Sequence, residues 1–245
     1  MERLVLVLGD QLRLQWTAPA DFHPQTDAVW MAEVEEDATH VWCHKTRLVL
    51  FFSAMRHFRD RLVRRGWTVL YHELSEDPSR DRGSSFVEIL RKDLPRMKPR
   101  KVVMTQAGDH RVQTDIERVT AECGIPLEVL PDTHFCCSLR EFDDFASSRR
   151  RIILEDFYRW MRRKHSVLVE ESGKPHGGRW NYDKENREGP PKVGFASIPP
   201  MVRFPPDAVT RHVMRLVERR FARHPGRCSA FDLPAVSYTH LRAHE

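Results

Sequence analysis

Five stretches of the chain carry side chains able to bind or transform a ligand. Gly9-Asp10-Gln11-Leu12 follows an apolar run. Its glycine lets a ligand approach the main chain, while Asp10 and Gln11 offer a carboxylate and an amide. The same residues also make an ordinary strand-to-loop turn. Glu33, Asp37, His44 and Lys45 surround a second such point, ahead of a long helical pattern. They can hydrogen-bond a polar heterocycle, and a helix N-terminus there favours acceptor groups; an acidic surface loop is the alternative. Cys136-Cys137 with His134 nearby raises the question of a metal, but adjacent cysteines without a second pair at ligand spacing are poor chelators, so no metal site is expected. Arg149, Arg150, Arg151, Arg159, Arg162, Arg163 and Lys164 form a basic run suited to phosphates or to a solvated helix face. Gly177–Arg187 (GGRWNYDKENR) interleaves Trp180 and Tyr182 with Arg179, Lys184 and Arg187, a pairing of stacking and charge that suits unstacked nucleic acid, or a linker clamped by its aromatics. No nucleophile–base–acid set is present, so no catalytic residue is assigned. Neither GxGxxG nor GxxxxGK[ST] occurs.

The elements that position these groups are legible from periodicity. Arg3–Leu8, Ala28–Val34, Trp67–Leu74, Lys101–Gln106 and Pro126–Leu130 are short apolar runs of buried-strand character. Between them, Cys43–Arg65 repeats Leu48, Phe52, Met55, Phe58 and Leu62 at helical steps and stops at Gly66. Ser84–Leu94 and Asp115–Cys123 are further helices. The alternation predicts an α/β fold, with a five-stranded parallel sheet and helices on both faces. Ligands of such sheets sit beyond the C-terminal strand ends, which directs attention to residues 9–12, 33–44, 106–111 and 131–135. The second half predicts helices at Ser138–Phe145, Ile152–His165 and Asp207–Arg223, with a Pro- and Gly-rich linker from Gly173 to Pro206.

The 245 residues suffice for one large domain and a smaller piece. Lys and Arg number 40 against 35 Asp and Glu, and the isoelectric point of about 9.1 permits a polyanionic partner without requiring one. Five cysteines with no CxxC pair, and no signal-peptide pattern, predict a reducing cytoplasmic location. No apolar run approaches the ~20 residues of a membrane span.

Four stretches resemble the deoxyribodipyrimidine photolyase-related proteins, the bacterial iron–sulfur cryptochrome/photolyase group that includes prokaryotic (6-4) photolyases: LVLVLGDQL (4–12), AEVEEDATHVWCHKTRLVLFFSAMRHF (32–58), FYRWMRRKH (157–165) and GGRWNYDKENR (177–187). The resemblance runs from about Leu4 to about Ala235. It implies a Rossmann-like antenna domain (1–146), a basic helix and interdomain linker (147–206), and the start of a helical FAD-binding region (207–235). It also implies an antenna, 6,7-dimethyl-8-ribityllumazine, lined by Gly9, Asp10, Gln11, Leu12, Glu33, Asp37, Phe51 and Phe52, with His44 and Lys45 nearby. Where relatives carry Glu at position 37, this chain has the shorter Asp. Arg149, Arg150, Arg179 and Arg187 become candidates for DNA contacts. The partner would be UV-damaged DNA, whose lesion must leave the stack to be reached. No membrane partner is expected, and a monomer is.

The resemblance places FAD and a four-cysteine [4Fe–4S] cluster in a helical domain that these residues do not include. The chain by itself is therefore expected to be inactive in repair. Val236–Glu245 (VSYTHLRAHE) reads as a non-native tail, and the whole as a truncated product. A stand-alone Rossmann-like ligand- or nucleic-acid-binding module, and a cryptochrome photoreceptor fragment, are the alternative readings.

Overall fold

The structure is a computed structural model that describes residues 1–13, 21–183 and 200–235. Two compact units emerge: Met1–Asp132 together with the segment from Val202 onward, and Thr133–Met201.

The first unit is built on five parallel strands, β1 (Arg3–Leu6), β2 (Ala28–Ala32), β3 (Val69–His72), β4 (Lys101–Thr105) and β5 (Leu127–Leu130). Their order is β3-β2-β1-β4-β5. β1 pairs with β2 through Val5–Val29 and with β4 through Val5–Val103. The central strands are apolar apart from Arg3, Lys101 and Thr105 at their ends, because both faces are covered. Alternate side chains leave on opposite sides. Val5, Val29, Met31 and Val103 join one core; Leu4, Leu6, Trp30, Val102 and Met104 join the other.

The second core is closed by α3 (Phe86–Met97) and α4 (His110–Glu122), through Ile89, Leu90, Leu94, Ile116 and Val119. Ser85 caps α3 by accepting from Glu88 N at 3.2 Å. α4 begins five residues before the expected start, because its polar first turn hides the period; Asp109 caps it. The first core is closed by α2 (Lys45–Arg64) and α7 (Ala208–Arg220). α2 buries Leu48, Phe52, Met55, Phe58 and Leu62, and ends at Gly66 with φ +77°. A short helix, α1 (Glu35–His40), has no apolar period to announce it.

The placement of α7 differs from the expected domain plan. Val213, Leu216, Val217 and Phe221 pack into the same core as Val49 and Phe52, so this helix completes the sheet unit. Asp207 caps it through Thr210 N at 2.8 Å. Ion pairs Lys45–Glu218, Arg219–Glu76, Arg220–Glu35 and Arg220–Asp81 add to the contact, and His57 Nε2 lies 3.2 Å from Asp207. Residues 133–201, expected to be divided at 146, form one unit.

That second unit holds α5 (Leu139–Ser147) and α6 (Leu154–Lys164). Ser138 and Glu141 make a reciprocal capping box. Hydrogen bonding from Lys164 and from the Ser138 amide and hydroxyl takes the Glu141 carboxyl down to about 2. Phe142, Phe145, Phe157 and Trp160 meet at ring separations of 5.2–5.8 Å. Arg162, in the basic run read as suited to phosphates or as a solvated helix face, is buried; its guanidinium donates to the carbonyls of Val167, Leu168 and Trp180. Lys184, Arg187 and the Val236–Glu245 tail lie outside the described residues.

Because α7 is core, Leu216→Ala is expected to destabilise the sheet unit by about 2–5 kcal/mol. Urea unfolding followed by tryptophan fluorescence checks this through Trp30, which is 0% exposed; an unshifted midpoint would place α7 outside the cooperative unit.

Candidate functional site

The strand order reverses between β1 and β4, and at that switch point a crevice opens beyond their C-terminal ends. A cleft of about 240 Å³ lies there. Its walls come from Leu8–Asp10 after β1, Ala32–Val34 after β2, Ala107–Arg111 after β4, and from α1 and α2. On α2, Arg47, Phe51 and Met55 recur every four residues and so share one face, running from a charged side chain to an aromatic ring to a thioether. Gly9 meets that stripe. A Cβ at residue 9 would strike the Phe51 ring and come within 2.9 Å of Met55 Sδ, so only glycine lets the β1 turn and α2 approach this closely.

Glu33 is a buried cleft-lining carboxylate whose oxygens are already engaged. Arg56 grips it bidentately through Nε at 2.7 Å and a terminal nitrogen at 2.8 Å. The Tyr71 hydroxyl donates to it at 2.7 Å, and Leu74 N at 3.0 Å. Burial works against the Arg56 charge, yet the bonds and field of Glu33 outweigh it and raise the pKa. Burial and then the Glu33 charge push the Tyr71 phenol well up, so it stays a donor. Glu33 thus ties β2, β3 and α2 together behind the cleft.

Gly9, Asp10, Glu33, Asp37, Phe51 and Phe52 of the expected set line the cleft. Gln11 does not: its buried amide donates to Gln106 O at 3.0 Å and joins the ends of β1 and β4. Leu12 packs on the first core. His44 is the cap of α2, accepting from Thr46 N at 3.1 Å, with its ring against Gly226. Lys45 is buried and bonds Glu218 at 2.7 Å. That bond, with the Cys228 amide, takes the Glu218 carboxyl down to about 2. His44 and Lys45 therefore fasten the start of α2 to α7 and the loop after it.

Sequence reasoning did not single out His40, Cys43, Arg47, Asp109 and Arg111, which also line the cleft. The four-residue repeat through Phe51 was the available signal for Arg47. Arg111 fell in a strand-end stretch already marked, but its partners lie far off in sequence. It pairs with Glu36 and Asp37 at 3.0 Å and with Asp109 at 3.4 Å.

In the second unit, Arg149 and Arg150 are exposed, and the Arg149 guanidinium lies 3.6 Å from the Phe145 ring centre. Arg179 is exposed. The Trp180 ring, expected to stack bases, is approached by Arg163 at 4.6 Å and Arg162 at 5.0 Å. Among the described residues no group of three or more His, Cys, Asp or Glu could hold a metal ion. No described helix is long and apolar enough to cross a membrane.

A family model described as deoxyribodipyrimidine photo-lyase-related protein matches residues 5–233. The chain belongs to that family. Over 239 residues, 98% of the chain, this photolyase-related protein is 34% identical to a (6-4) photolyase of Agrobacterium fabrum. It spans 46% of that relative's length, about half. It is also 22% identical over 163 residues to an uncharacterised protein of Acanthamoeba polyphaga mimivirus, covering 62% of the chain and 75% of that relative.

Arg56→Met is expected to cost about 3–5 kcal/mol, since it leaves the Glu33 charge buried without its partner. Adding Glu33→Gln removes that charge and is expected to recover part of the loss. Urea denaturation of both variants checks the pair; equal losses in the two would exclude the buried charge as the cause.

Proposed function

We propose that this photolyase-related chain binds a light-harvesting chromophore in the switch-point cleft, as the N-terminal part of a photolyase- or cryptochrome-like flavoprotein acting on UV-damaged DNA. The chromophore proposed is 6,7-dimethyl-8-ribityllumazine. The supporting observation is the cleft itself: the Phe51 ring, Met55 and the bare Gly9 backbone form an apolar slot, and Asp10, Asp37, Asp109 and Arg111 border it. At about 240 Å³ the cleft falls below the roughly 300–1,000 Å³ common for drug-sized ligands. That size disfavours a dinucleotide such as FAD.

When bound, the lumazine supplies absorption of light. The chain's own residues hold and orient it. Phe51 offers a ring face against a planar heterocycle. Asp10 and Asp37 accept hydrogen bonds from ribityl hydroxyls or ring N–H groups. The bare backbone at Gly9 lets the Phe51 ring and Met55 pack directly against the β1 turn at the slot's floor. Glu33 and Arg56 keep the end of β2 in register behind it. Arg149, Arg150 and Arg179 are exposed residues of the second unit and the candidates for phosphate contacts, with Arg187, in the same motif as Arg179, assigned the same role. In this reading FAD and a [4Fe–4S] cluster belong to the helical half of a longer protein, and no repair chemistry is assigned to these residues.

Titration of the purified chain with the lumazine, followed by its fluorescence, tests the reading. Saturable binding with a spectral shift is expected. Phe51→Trp, which fills the slot, and Gly9→Ala, which drives a methyl into the Phe51 ring, are each expected to weaken binding by more than about tenfold, about 1.4 kcal/mol. Unchanged affinity in both variants would move the site elsewhere.

A further inference from the structure

Cys136 and Cys137 belong to the second unit and take no part in the chromophore reading. They are adjacent in the turn that leads into α5, and among the described residues no metal-holding group of three or more His, Cys, Asp or Glu includes them. All five cysteines of the chain carry free thiols, and Cys136 is the exposed one. Cys228 is buried, and burial together with the Glu218 carboxylate pushes its thiol up to about 12. Cys43 and Cys123 are half-buried and have no cysteine beside them in the sequence. Oxidation of thiols follows exposure and thiolate character, so Cys136 is the first that an oxidant in solution meets.

Its neighbour differs. Cys137 is half-buried, and its thiol donates to the Ser138 carbonyl at 3.4 Å. Burial and then the Glu141 carboxylate push that thiol up, against the pull of Lys164. Cys137 therefore keeps its proton and reacts second. The pair also sits where two helices are tied. His165, just past the end of α6, donates through Nε2 to the Cys136 carbonyl at 2.8 Å. Ser138, the next residue, caps α5 and shares Glu141 with Lys164 of α6. Adjacent Cα atoms stand about 3.8 Å apart, short of the roughly 4.4–6.8 Å that disulfides usually span. A bond between Cys136 and Cys137 is thus strained and readily reduced. Closing that ring turns the 136–137 peptide, whose carbonyl is the one His165 holds.

We propose that Cys136 and Cys137 form a reversible oxidation site for hydroperoxides, in which Cys136 is oxidised and Cys137 resolves it, and that closing the ring loosens the tie between α5 and α6. The Cys136 sulfur attacks one oxygen of hydrogen peroxide. The O–O bond breaks, the sulfur is oxidised by two electrons to a sulfenic acid, and the released hydroxide leaves as water with the thiol proton. The Cys137 sulfur then attacks the Cys136 sulfur. The S–S bond forms, the S–O bond breaks, and the hydroxyl leaves as a second water with the Cys137 proton. Two thiols and one peroxide give one disulfide and two waters. A dithiol reductant returns the pair to thiols and is itself oxidised to a disulfide. The ring shields Cys136 from the irreversible sulfinic step, and its strain keeps it transient.

The test treats the full chain with hydrogen peroxide. Chymotryptic cleavage after Phe135 and Leu139 separates the pair from Cys123, and mass spectrometry reads the peptide. The pair is expected to lose two hydrogens and to regain them in dithiothreitol. Cys137→Ser is expected to leave at Cys136 a sulfenic acid that dimedone traps and that otherwise goes on to sulfinic acid. Cys136→Ser is expected to keep Cys137 reduced at the same dose. The oxidised wild type is expected to melt at a lower temperature than the reduced one, with no such difference in Cys136→Ser. Sulfinic acid that gathers at Cys136 as fast in the wild type as in Cys137→Ser overturns the assignment, as does a pair that stays reduced while Cys43 or Cys123 is oxidised. A ring that forms with melting unchanged overturns the coupling to α5 and α6. The wild-type peptide decides whether the ring forms even where a serine variant fails to fold.

Discussion

The pairing of Glu33 with Arg56 is the constraint around which the first unit is arranged. A carboxylate buried at the end of β2 is tolerable only if its charge is met where it stands. Arg56 meets it from the middle of α2, and the Tyr71 hydroxyl and Leu74 amide complete it from β3 and the turn beyond. These bonds fix the rotation of α2 about its axis relative to the sheet. With α2 so fixed, Arg47, Phe51 and Met55 face the switch point, while Phe52, Phe58 and Leu62 enter the core. The same guanidinium reaches His212 on α7 at 3.3 Å and Glu73 at 3.5 Å, so the helix that covers α2 shares the anchor.

Two kinds of force divide the labour. Apolar burial sets the layers, since β1, β2 and β4 are covered on both sides and can sit only inside. Ion pairs set the finer placement of parts that burial holds weakly. α1 hangs on Arg111 and Arg220, and the start of α2 on Lys45 with Glu218. The cleft lies between these regimes, with a floor of packed side chains and a rim of charged ones.

The fold was legible because its signals are local. Strand runs such as Leu4–Leu8 and Val102–Met104, the α2 stripe ending at Gly66, and the caps Ser85, Ser138 and Asp207 can each be read within a few residues. The strand-end rule then directed attention to the right edge of the sheet. What could not be read was whatever depends on partners far apart in the chain. Glu33 looks like any acidic loop residue until Arg56 and Tyr71 close on it. His44 and Lys45 look like pocket groups until Gly226 and Glu218 claim them. Arg111 acquires a role only from acids more than seventy residues earlier. α1 carries too few apolar residues to show a period, and α7 shows its period plainly while giving no hint of which surface it covers.

That α7 covers the sheet unit has a consequence for how the chain is made. The face formed by Val49, Phe52 and Met55 is finished only when Val213, Leu216, Phe221 and Phe231 arrive, and all of Thr133–Met201 is synthesised in between. At typical translation speeds the intervening segment takes roughly 4–14 s to emerge. For that interval the nascent sheet presents an open apolar face while the chain is still being made. Closing it joins residues more than 150 positions apart, a long loop of the kind that slows folding. A chain halted in that interval would leave one face of its sheet sequence uncovered, the condition that invites aggregation and capture by chaperones.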